Sequence, residues 1–238
     1  MYDLFSRLQG CLWGLIWGEV LGLAAAQHSK LSRANNWMVW VPPAIAPTEL
    51  PPWSQAVYQA LMELIHGQGW QPDRALEPFK QPLSASPPLA AWAIAALPTI
   101  LYFHDDGWKL RHSLHQVLPL FNAPDPAIGV VAYLLSHGLT GATLRSQSLT
   151  EAITYLDSTP SSRPITLPPS LAALEPVQFA LQDCSDRRTL HTHLQAVAPQ
   201  ADWTIALACY YSLSTLHSPR LALVRAAQHG RPELSALT

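Results

Sequence analysis

The sequence predicts an all-α protein, a compact multi-helix bundle with helices crossing at steep angles, and three observations carry that expectation. Period-2 alternations are few, and no Asn-Gly or Asp-Gly hairpin joins two hydrophobic runs. Apolar residues recur instead at three- and four-residue steps, the spacing that lines one face of a helix. The prolines, 22 in all, fall mostly between these periodic stretches, where they end one helix or open the next.

The elements follow in order. Leu4, Leu8, Leu12, Leu15 and Ile16 mark one face of a first helix. Tyr58, Leu61, Met62 and Ile65 mark a second, with His66, Gly67 and Gly69 as its stop. Further helices are expected at 88–102, 108–118, 126–137 and 148–155. In the last third the same periodicity predicts 174–182, 190–198, 202–216 and 219–228. Pro42–Pro43, Pro51–Pro52, Pro72, Pro78, Pro87–Pro88 and Pro168–Pro169 punctuate the series. Segments 41–52 and 158–170 are surface loops with apolar helices on both sides, so 1–238 is expected to form a single all-α domain.

Composition narrows the function classes. With 49% hydrophobic and only 13% charged residues, the chain carries about half the charged fraction of an ordinary soluble domain. Such a chain can bury enough surface to order itself, which excludes disorder. A formal charge of −2, with basic residues clustered no further than pairs such as Arg187–Arg188, argues against a nucleic-acid partner. The longest uncharged run, 81–103, is apolar only from Leu89 and contains Pro98, too short for a membrane span of about 20 residues. Cys11, Cys184 and Cys209 form no C-x-x-C pair and are expected as buried, reduced thiols. With no secretory signal read at the start, the expected location is cytoplasmic.

Three segments, in order, resemble the ADP-ribosylglycohydrolase family, the dinitrogenase reductase-activating glycohydrolase type. Residues 7–23, R-L-Q-G-C-L-W-G-L-I-W-G-E-V-L-G-L, keep glycines at Gly10, Gly14, Gly18 and Gly22, as in that family's G-x-x-x-G-x-x-x-G-D-A-x-G, with Glu19 in place of its Asp. Glycines every fourth residue form a smooth ridge that lets another helix approach closely. Residues 91–103, followed by His104-Asp105-Asp106, look like the family's A-M-R-x-A-P-L-G-L-L-Y segment, and 121–127 like its T-H-x-x-P-x-A helix start. Residues 206–230 resemble the helix pair leading into its G-G-D-x-D-T.

The resemblance implies hydrolysis of glycosidic bonds to ADP-ribose, with two hard cations, Mg²⁺ or Mn²⁺, held by a T-D-D motif and a terminal D-x-D. Two such metals would hold ribose hydroxyls and activate a water. Here the first motif's region reads Glu49-Leu50-Pro51-Pro52-Trp53-Ser54, with only Glu49 able to ligate a cation, and the second reads His229-Gly230-Arg231-Pro232-Glu233, without the D-x-D. Ile94-Ala95 and Phe121-Asn122 replace the family's Met-Arg and Thr-His pairs. The reading is a degenerate, non-catalytic relative with no catalytic or metal-ligating residue and no cofactor, acting by binding a protein partner. Its remnant pocket would gather Glu19, Glu49, Ser54, Asn122 and Gly230. The family continues through another helix past the position of Thr238, so the fold is expected to be truncated there or closed by a partner. The alternative is an active metal-dependent hydrolase with a rearranged site built from Glu19, Glu49, Asp105 or Asp106, using Mg²⁺ or Mn²⁺.

Other constellations have structural readings. Asp105-Asp106 is read as a helix-entry turn. His112 with His115, and His191 with His193, lack the further ligands zinc requires. Trp37 and Trp40, in the loop, and Trp53 are candidates for an interaction surface.

Overall fold

The computed structural model describes residues 4–27, 51–66, 71–72, 74, 77–79, 89–117, 125–142, 144, 147–157, 168–216, 218–229 and 232–238. Among them there is no strand. The helices are α1 (Leu4–Gln27), α2 (Pro52–His66), α3 (Leu89–Tyr102), α4 (Gly107–Val117), α5 (Ala127–Thr140) and α6 (Gln147–Asp157). They continue as α7 (Pro169–Ala172), α8 (Leu174–Gln182), α9 (Arg187–Val197), α10 (Thr204–Ser214), α11 (Pro219–Ala227) and α12 (Pro232–Leu237). A 3₁₀ turn, Glu77–Phe79, places Phe79 against Trp53 of α2.

Two helices are hydrophobic all round and therefore lie inside. In α3 nearly every residue from Leu89 to Leu101 is buried, and α2, α4, α5, α10 and α12 pack on it. Helix α10 is buried from Thr204 to Tyr211 and packs on α8, α11 and α12 as well. Pro98 sits within α3 rather than ending it, so Ile94 loses the amide that would normally bond its carbonyl. Fully burying side chains such as Ile94, Ile100 and Ile205 contributes about 1.5–3 kcal/mol each. Among the described residues, no helix is long and apolar enough to cross a membrane.

Helix α1 packs against α12, α11, α2 and α5, and among the described residues its contact with α12 is the most extensive between any two helices. A Cβ placed on Gly18 would overlap the Ser235 carbonyl oxygen, so only glycine permits the backbones to meet there. The expected glycine ridge thus works at Gly18. A Cβ on Gly10 or Gly14 would meet nothing within 4 Å, and these two glycines instead line an apolar cavity of about 470 Å³ beside α5 and α10.

Sparse acids organise the helix starts. Asp106 accepts from the Lys109 amide at 3.0 Å and pairs with Lys109 Nζ at 2.9 Å, so the Asp105-Asp106 turn is indeed a helix entry. Asp125 accepts from the Ala127 amide at 2.9 Å and from Ser170 Oγ at 2.7 Å, which ties α7 to the start of α5. Asp186 caps α9 through the Thr189 amide. Asp202 serves two helices, accepting from the Thr204 amide of α10 at 3.0 Å and the Leu89 amide of α3 at 2.6 Å. One cysteine departs from expectation. Cys209 is buried and Cys11 half-buried, but Cys184 is exposed, because it lies in the turn that leaves α8.

Candidate functional site

Glu19 is the chemical centre of the expected remnant site. It is a carboxylate in an apolar helix, 1% exposed, and the sequence alone does not show what compensates it. The compensation comes from the start of α2. Glu19 Oε1 accepts from the Trp53 amide at 2.9 Å, while Oε2 accepts from both the Ser54 amide and Ser54 Oγ at 2.7 Å.

This arrangement accounts for every orphan donor at that helix end. The first four amide positions of a helix have no partner within it. Here they fall on Pro51, Pro52, Trp53 and Ser54. The two prolines have no N–H to satisfy, and Glu19 takes the other two. A side chain from α1 therefore does what an N-cap residue of α2 would do, with its negative charge at the positive end of the helix dipole.

The sequence-predicted site residues separate accordingly. Glu19 and Ser54 are brought together. Glu49, Asn122 and Gly230, with Trp37 and Trp40 of the expected interaction surface, lie outside the described residues. Trp53 does not fit that surface: it is 7% exposed and stacks on Phe79 at 6.5 Å between ring centres, because the α2 start is drawn inward onto Glu19. Asp105 and Asp106 lie at the entry to α4. Neither they nor Glu19 line the cavity beside α1 or a smaller one between α4, α5 and α6.

The described groups of the site, Glu19 and the start of α2, are turned toward each other and not toward a shared ion position. Mg²⁺ and Mn²⁺ require carboxylate oxygens presented to the ion. Both oxygens of Glu19 face amide and hydroxyl donors of α2. Among the described residues, no group of three or more His, Cys, Asp or Glu side chains is gathered in a way that could hold a metal ion.

No signal in the sequence points to a second polar cluster, which the fold assembles from distant segments. The Tyr211 hydroxyl and His229 Nε2 lie 2.6 Å apart, and the His229 ring stacks on His191 with centroids 5.7 Å apart. His191 also meets the edge of Trp203, and its Nε2 is buried with no hydrogen-bond partner. Burial, with a smaller effect from Arg187, pushes the His191 pKa down and favours the neutral ring. His193 lies against Phe179, and His112 stacks flat on Trp108. The members come from α9, α10 and the turn after α11, and Tyr211 and His229 alone are 18 positions apart, so no local spacing could reveal them. Compared with known protein families, curated proteins and solved structures, the chain matches none.

Proposed function

We propose that this chain is a non-catalytic protein of the ADP-ribosylglycohydrolase type that acts by binding a partner protein. The observation that carries the proposal is the commitment of both Glu19 oxygens to the start of α2. An acid that serves a hydrolytic metal must present lone pairs to it, and this one is turned into a structural tie between α1 and α2. Asp106, another candidate in the rearranged-site alternative, is engaged by Lys109 at the surface.

A binding role draws support from Trp108, which is 74% exposed and held flat against His112 at 5.3 Å. Rigid exposed aromatics are the residue type that anchors protein interfaces. The test has two arms. Calorimetric titration with Mg²⁺ and Mn²⁺ is expected to show no binding, and incubation with an ADP-ribosylated protein no release of ADP-ribose. Release that disappears on chelation overturns the proposal. For an isolated partner, Trp108→Ala is expected to weaken binding by roughly tenfold or more.

A further inference from the structure

Away from Glu19, helices α4, α5 and α6 line an open-mouthed cavity of about 270 Å³. That volume is near the lower end of small-molecule sites, which run from about 300 to 1,000 Å³. Leu114, Ala132 and Leu156 give it an apolar floor. Its permanent charge favours an anion: Arg111 lines it beside the imidazoles of His115 and His137, and among the described residues no carboxylate does.

The aromatic groups form a continuous wall. The Arg111 guanidinium lies 5.6 Å over the Tyr155 ring. Tyr155 and Tyr133 have centroids 5.1 Å apart, and Tyr133 stacks on His137 at 3.9 Å. His137 Nδ1 lies 3.1 Å from the Tyr133 carbonyl, which places the proton of the neutral imidazole on Nδ1. Burial pushes the Tyr133 phenol up, and the nearby Glu151 and Tyr155 add to the shift, so the hydroxyl keeps its proton and can donate. The wall therefore offers flat π-surface ending in a guanidinium, with the Tyr133 hydroxyl as a hydrogen-bond donor along it.

We propose that this cavity binds a small planar aromatic anion, a ring carrying one carboxylate or phosphate group, with the ring against Tyr133 and Tyr155 and the anionic group at Arg111 and His115. The larger cavity beside α1 lacks this chemistry. Its arginine, Arg7, donates to the Leu139 carbonyl at 2.8 Å.

The test is calorimetric titration of the whole protein with benzoate, phenyl phosphate and neutral benzamide, with the melting temperature followed as a check on folding. At least one anion is expected to bind, and benzamide about tenfold or more weakly. Binding of benzoate alone assigns a carboxylate, and of phenyl phosphate alone a phosphate. Arg111→Gln, at a half-buried position, is expected to erase the preference for the anion. Ala132→Leu, which fills the floor, is expected to abolish binding of all three in a chain that still melts cooperatively. Equal binding of benzamide, a preference that survives Arg111→Gln, or no binding of either anion overturns the proposal.

Discussion

Glu19 shows how one side chain can fix the relation of two helices. Its carboxylate and the two α2 amides are each costly to bury alone and satisfied together. Glu19→Gln keeps the shape but turns an amide NH₂ toward donors, and is expected to lower unfolding free energy by about 2–4 kcal/mol in urea denaturation. A loss under about 0.5 kcal/mol would remove Glu19 from this role. His191 carries a pH consequence. Its folded pKa lies below the unfolded value of about 6.5, so above that pH the ring is neutral in both states. As pH falls through about 6.5, the unfolded chain takes the proton first, and stability declines until the folded ring also protonates. The urea midpoint is expected to drop between about pH 7 and pH 5, and to drop less in His191→Phe. An unchanged slope in the variant would show that His191 does not contribute.

At the scale of the element, the turn after α8 departs from the residue type its backbone favours. Cys184 has φ of 51°, in the left-handed region, and the Ser185 amide bonds the Ala180 carbonyl at 2.9 Å, closing the turn that commonly carries glycine. Cys184→Gly is expected to stabilise the fold by about 0.5–1 kcal/mol, read as a higher melting temperature, and a lower one would contradict the backbone argument. Helices with full apolar periodicity, such as α3, α5 and α10, are legible in the sequence to within a few residues. The four-residue α7 and six-residue α12 are not, since neither is long enough to display a period. In sequence, the region of α12 looks like a lost metal motif, and its packing against α1 depends on a partner far away along the chain. For the site, Glu19 and Ser54 are legible as associated residues. The reversal of Trp53 from surface to interior is not, because it follows from the direction in which Glu19 draws the α2 start.

Across the whole molecule, scarcity of charge and order of helix starts are one property. Glu19, Asp106, Asp125, Asp186 and Asp202 each take up amides at a helix N-terminus, and Asp202 and Glu19 do so between separate helices. Acids placed this way relate helices to one another as well as ending them, so a bundle with few ions can still have defined geometry. The positive charge and aromatic surface gathered between α4, α5 and α6 stand apart from this network. Arg7 adds the same kind of tie at the other end of a helix. Its guanidinium bonds the Leu139 carbonyl, 132 positions later, and fits beneath Gly141, whose φ is 91°. This has a consequence in time. During synthesis α1 emerges before every helix it packs on, α2 first and α12 last, so the part of it that meets α12 waits uncovered while most of the chain is made. Closing such long loops is slow, and a chain in that interval exposes surface to which chaperones bind. The stretch of α1 under α12 is therefore the last part of that helix to be covered, after α2, α5 and α11 have supplied their contacts.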